Sequence, residues 1–303
     1  MTFDVSADAY MRFMGRYSEP LAVLFADLAG VARGQRALDV GCGPGALTAE
    51  LAGRLGPAAV CAAEPSESFA AAARERLPGV DVRLSAAEHL PFREGGFDVV
   101  LAQLVVHFMA DPVAGLREMG RVTCPGGTVA ACVWDHAGGR GPLALFWRAA
   151  RELDPSACDE SGLAGVREGD LAGLFTQAGL RRARATTLTI RVRHSSFGQW
   201  WEPVHARRWP GRGVRGVPGH GAPRSAARAL PAPAARRTGR GQCHRVGCGV
   251  PDLTTRGSTD VICQLARRRQ RPHARTAAIC QSSADAGYAG DLRKDLGRLT
   301  GLS

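Results

Sequence analysis

Apolar and polar positions alternate between two regimes over the first two hundred residues. Short apolar runs of strand length are separated by longer stretches with helical spacing. Residues 36–40 (RALDV) predict a strand that closes near an acid, and GCGPG follows directly. Residues 58–63 (AAVCAA) predict a second buried strand ending at Glu64. Further strands are expected at 80–84 (VDVRL), 97–103 (FDVVLAQ) and 128–134 (TVAACVW), with a sixth alternating over 182–193. Helices are expected near 46–55, 67–76, 112–122 and 168–178. Asp111 and Pro112 supply an N-cap and a first-turn proline, and Gly179 a stop. A helical segment covers 1–33, Pro125-Gly126-Gly127 reads as a turn, and 135–166 is an excursion rich in Gly and Pro. Strands alternating with helices predict an α/β fold, a doubly wound and mostly parallel sheet with helices on both faces.

Chemistry is expected at the carboxyl edge of that sheet, where open α/β folds bind ligands. A strand that turns straight into a helix leaves orphan N–H groups at the helix start. Gly41, Gly43 and Gly45 keep side chains out of the turn, so a ligand could approach the backbone closely. Asp39 sits at the strand end, where a carboxylate can meet an ammonium group directly or through water. Glu64 ends the next strand, where an acid can hold both hydroxyls of a ribose. A tight turn without a ligand is the plainer alternative.

Taken in order, ALDVGCGPG, Glu64-Pro65-Ser66, AAEHLPF, FDVVLAQ and CPGG resemble the class I S-adenosylmethionine-dependent methyltransferases, in the branch with the methyltransferase type 11 domain. The resemblance covers roughly residues 10–203. It implies a Rossmann-like fold, S-adenosylmethionine as cofactor and methyl transfer to a small-molecule acceptor. It places Asp39, Gly41, Cys42, Gly43 and Gly45 at the methionine part, Glu64 and Pro65 at the ribose, Ala87 and Glu88 at the adenine, and Gln103 beside the sulfonium. One position departs from the family: its usual Gly-Asp-Ala-Glu is Ser85-Ala86-Ala87-Glu88 here, so the acid that accepts from the adenine amino group is absent. His107 is the candidate catalytic base, with packing between Val106 and Phe108 as its alternative. Tyr10, Tyr17, Trp134 and His136 are candidates for the acceptor pocket, or for helix and core packing. No metal site is expected. A nicotinamide-dependent oxidoreductase is the competing enzyme class, disfavoured because the turn reads G-x-G-x-G and not G-x-G-x-x-G.

Charge divides the chain. Of 303 residues, 39 are Lys or Arg and 28 Asp or Glu, a formal net charge of +11. Residues 1–203 hold 20 basic and 23 acidic side chains, whereas 204–303 hold 19 and 5. Leu, Ile, Val and Phe make up only 15 of those last 100 residues, a level associated with low order. Two domains are therefore drawn: a methyltransferase domain over 1–203 and a basic, irregular tail over 204–303. Codons for 204–220 shifted by one base permit a segment resembling the family's own continuation. The tail is accordingly expected to be a frameshift product lacking the family's last strand, with an impaired relic of the enzyme as the alternative to an active methyltransferase. A nucleic-acid-binding arm centred on Arg267, Arg268, Arg269 and Arg271 is disfavoured for want of aromatic residues to stack. The nine cysteines have no scaffold-like density, and no run has the length of a membrane helix. The expected setting is cytoplasmic, with no membrane partner and an open oligomeric state.

Overall fold

The computed structural model describes residues 7–157, 159–180, 183–196, 199–200 and 257–268. Seven strands form one sheet in the order β3-β2-β1-β4-β5-β7-β6. The strands are β1 (Ala37–Val40), β2 (Val60–Glu64), β3 (Asp81–Leu84), β4 (Phe97–Gln103), β5 (Thr123–Trp134), β6 (Arg184–Val192) and β7 (Gly257–Arg267). The first five are parallel, and β7 runs antiparallel between β5 and β6. The helices are α1 (Ala7–Tyr10), α2 (Arg16–Ala29), α3 (Ala46–Leu55), α4 (Glu67–Arg76), α5 (Pro112–Val122), α6 (Ala144–Leu153) and α7 (Asp170–Gln177), with one π turn at Met11–Gly15 between α1 and α2.

All four residues of β1 are buried, because helices cover both faces of the sheet. Side chains alternate between the two cores. Val100 and Ala102 of β4 face Leu116 and Met119 of α5 and Phe175 of α7. Val99 and Leu101 face Leu21 and Phe25 of α2 and Leu47 and Leu51 of α3. Asp111 caps α5, its Oδ1 accepting from the Ala114 amide at 2.9 Å, as expected. Among the described residues, no helix is long and apolar enough to cross a membrane.

Three expectations need correction. The Pro125-Gly126-Gly127 turn is absorbed into β5, which starts at Thr123 and shifts register against β4 between Phe97 and Val99. The excursion 135–166 contains a helix, α6, whose apolar spacing was masked by the Gly and Pro around it. Most consequential, the last strand is present: β7 is drawn from 257–267, deep in the basic tail, and pairs with seven residues of β5 and nine of β6. The apolar alternation of Val261, Cys263 and Leu265 was lost in the composition of the whole tail. A boundary at residue 203 therefore cuts through the sheet domain, and the relic reading loses its premise. Arg268 is a structural residue: it donates to the carbonyls of Arg121 and Thr123 and pairs with Glu94 at 2.5 Å. Arg269, Arg271 and the 204–220 window carrying the frame argument lie outside the described residues.

Candidate active site

The turn after β1 is shaped by glycine. Gly41 adopts φ 71°, and a Cβ there would lie 2.3 Å from Cγ2 of Val105, so no side chain fits. Gly43, at φ 54°, is different: a Cβ would meet nothing within 4 Å. Its α-carbon faces open space. Gly45, at φ 88°, starts α3, and a Cβ would come within 2.7 Å of Leu77. Gly45 therefore serves packing and does not line the cleft.

Glu64 clamps this turn. Its Oε2 accepts from the Gly43 amide at 2.8 Å and its Oε1 from the Ser66 amide at 2.9 Å. Two of the roughly four acceptor positions of the carboxylate remain for another partner. Burial pushes its pKa up, opposed by the two amides.

An open cleft of about 810 Å³ lies over this edge. Gly41, Gly43, Glu64 and Pro65 form one wall, Ala87 and Glu88 another, and Gln103 closes it with Tyr10, whose ring packs on Phe69 at 5.2 Å. A recess of about 370 Å³ continues inward to Asp39, Cys42 and Ser18, sharing Tyr10, Gly41, Gly43 and Gln103 with the cleft.

The recess carries unusual polarity. Asp39 is 1% exposed; its Oδ2 accepts from the Thr48 hydroxyl at 2.6 Å, and its Oδ1 has no partner among the described residues. Gln103 donates from Nε2 to the Ser18 carbonyl at 3.0 Å, leaving its Oε1 without a partner. Ser18 Oγ is likewise unpartnered. Buried polar atoms are nearly always satisfied, so three orphan oxygens around one recess call for a donor-rich ligand. Burial drives the Asp39 carboxyl up to about 7, with Glu64 adding to the rise and Thr48 opposing it. A cation beside Oδ1 would reverse that shift.

The remaining candidates divide. His107 is buried beside Phe108, its Nδ1 unpartnered, and burial lowers its pKa to about 3, with His136 nearby lowering it further. It is not part of the cleft wall. The His136 ring is 5.9 Å from that of His107, and His136 Nδ1 lies 3.5 Å from Glu160 Oε2. His136 lines a separate small cavity of about 260 Å³ with Trp147, Arg151 and Glu160. Tyr17 and Trp134 do not reach the cleft: they pack edge to face in the core, and the Tyr17 hydroxyl meets His194 Nε2 at 3.2 Å. Sequence reasoning missed Ser18, Thr48 and Leu104. Leu104 lines the cleft at φ 61°, the one positive φ outside glycine among the described residues. Such strain gathers at functional edges, and nothing in a leucine foretells it.

A family model described as a methyltransferase domain matches residues 38–131. An uncharacterised methyltransferase of Schizosaccharomyces pombe is 36% identical over 110 residues, 33% of this chain and 40% of that protein. A ubiquinone biosynthesis O-methyltransferase of Parvibaculum lavamentivorans is 39% identical over 95 residues, 30% and 37% of the two chains. The chain thus spans less than half the length of these relatives. An uncharacterised protein of Mycobacterium bovis is 31% identical over 196 residues, 61% of this chain and 70% of that one. Among solved structures, YcgJ of Bacillus subtilis shares the fold, with a TM-score of 0.51 at 14% identity over 82% of this chain and 98% of that one. With the Gly-rich turn and the acid closing β2, the family match identifies residues 38–131 as a methyltransferase domain of the class I S-adenosylmethionine-dependent kind, whose cofactor is S-adenosylmethionine.

Proposed function

We propose that this chain transfers a methyl group from S-adenosylmethionine to a small organic acceptor. The observation that carries the reading is the recess with three unpartnered oxygens, on Asp39, Ser18 and Gln103, opening into a cleft that Glu64 flanks. The cofactor's α-ammonium brings three N–H donors, and its ribose two hydroxyls. Asp39, Ser18 and Gln103 would hold the ammonium, the open α-carbon of Gly43 would admit the methionine chain, and the free lone pairs of Glu64 would take the hydroxyls. Pro65, Ala87 and Glu88 would flank the nucleoside. Cys42 lines the recess.

When bound, S-adenosylmethionine supplies an electrophilic methyl carbon, so the protein's task is alignment more than activation. Tyr10 covers the cleft at the edge where an acceptor would enter. His107 is buried, does not line the cleft and has its pKa lowered to about 3 by burial, so it takes its packing role and not that of the acceptor's base. This assigns the site to one sheet edge and extends the catalytic domain through β7.

Calorimetric titration of the full chain with S-adenosylhomocysteine tests the reading. Micromolar binding is expected, and Asp39→Ala should weaken it about ten- to a hundredfold, the worth of roughly 1.5–3 kcal/mol for a hydrogen bond to a charged group. Absence of binding at millimolar ligand would overturn the assignment.

A further inference from the structure

β7 sets Cys263 directly opposite Cys132 of β5. The hydrogen-bond phase of that pair follows from Cys132. Its carbonyl accepts from the Leu104 amide at 2.8 Å, on the β4 side. The N–H and C=O of one strand residue point the same way, so Cys132 makes no ladder bond to β7. At the other end of the ladder, Arg268 donates to the Gly127 carbonyl, and counting in twos from there gives the same phase. Cys132 and Cys263 are therefore a non-hydrogen-bonded antiparallel pair, the type with α-carbons about 4.5 Å apart and side chains closest. A disulfide accepts α-carbon separations of about 4.4–6.8 Å. Both thiols are free, fully buried and on the same face of the sheet, packed with Trp134 and Val261. Burial pushes the Cys132 thiol up, and the neighbouring Cys263 thiol adds to the rise. Cys42 and Cys61 belong to other elements, and Cys124 lies at the opposite end of β5 from Cys132.

We propose that Cys132 and Cys263 are an oxidative modification site at which a peroxide closes a disulfide, stapling β7 to β5. In that step two S–H bonds and the O–O bond break and one S–S bond forms. Both sulfurs are oxidised, hydrogen peroxide is reduced, and the two thiol protons leave in two waters. Since neither sulfur is exposed, the reaction proceeds through openings of β7, which joins the sheet only after the long connection from β6. Oxidation thus converts a strand held by packing and hydrogen bonds into one held covalently, next to the end of β5 that leads to Asp135 and His136.

The test uses the full chain, folded. It is held near the onset of its melting transition with hydrogen peroxide and, in parallel, in a glutathione buffer poised oxidising. Remaining thiols are alkylated in denaturant and the digest mapped by mass spectrometry. The expected product joins the Cys132 and Cys263 peptides, lighter by two hydrogens, with a melting temperature raised by at least ~5 °C and returned by dithiothreitol. Cys263→Ser should show neither link nor rise; if that variant fails to fold, the wild-type map alone decides. Alkylation of both cysteines after equilibration in the oxidising buffer, or pairing of either with a different cysteine, would overturn the proposal.

Discussion

Asp39 and His107 are both buried near the carboxyl edge of the sheet, and burial moves them in opposite directions along the pH axis. The Asp39 carboxyl rises to about 7, because its charged form loses water and gains only Thr48. The His107 imidazole falls to about 3, because its cation would sit in a dry site beside a second histidine. The linkage differs in sign. A histidine whose folded pKa is depressed binds fewer protons when folded, so its contribution is present above the unfolded value near 6.5 and is lost as pH falls towards 3. Of the groups around His107, His136 is itself lowered to about 4 and adds to this loss, while Glu160 beside His136 is raised to about 7 and opposes it, both by burial. His107→Asn should therefore flatten the acid side of the stability curve. Between pH 6.5 and 5 the wild type should lose about 2 kcal/mol more than the variant, on the order of the pKa displacement over that interval. Equal losses in paired urea titrations at the two pH values would show that His107 is solvated. At this scale the glycines were the legible part: Gly41 and Gly43 announced a close backbone approach, and both are found at positive φ. Ser18 and Leu104 were not legible. A serine on a helix and a leucine after a strand carry no local mark, and their roles come from what the fold sets opposite them.

Elements with self-contained signals were read well. The α5 start is an example: Asp111 and Pro112 specify it without help from the rest of the chain, and the Asp111 side chain accepts from Ala114 at 2.9 Å. Removing that cap in Asp111→Ala should cost about 1 kcal/mol. The cost should reach the cleft as well, since the Asp111 amide donates to Glu88 at 3.1 Å, and Glu88 lines the cleft. Chemical denaturation checks the stability loss. An unchanged midpoint would mean that water replaces the cap without penalty. Elements that depend on partners were read poorly. α6 has a strongly one-sided apolar face, yet its neighbours are glycines and prolines, and the stretch looks like loop until the sheet is there to receive it. β5 absorbed a Pro-Gly-Gly turn because Gly126 donates to the Arg268 carbonyl and Arg268 to that of Gly127. A residue from the far end of the chain completes the ladder there.

For the whole molecule, the decisive fact is non-local. Composition averaged over the last hundred residues hid an eleven-residue strand, because Arg, Gly and Pro on either side set the average. Position in the sheet makes β7 indispensable. It covers the antiparallel edges of both β5 and β6, and Val261, Ile262, Cys263 and Ala266 are buried by it on two faces. Valine and isoleucine alone contribute about 1.5–3 kcal/mol each on full burial. Sixteen paired positions of ladder depend on the same strand. The sum approaches the 5–15 kcal/mol by which domains are stable at all. A chain ending at Arg256 should therefore fail to fold or melt at least ~15 °C lower, whereas one ending at Gln270, the limit of the contact unit that contains the sheet, should keep the fold and S-adenosylhomocysteine binding. The same comparison bears on the reading frame. If β7 is required, its codons are in the productive frame, and a one-base shift near residue 204 demands a compensating shift before Gly257. Circular dichroism melts of the two truncations decide the first point: equal melting temperatures would make β7 an ornament of the sheet and return the boundary to residue 203.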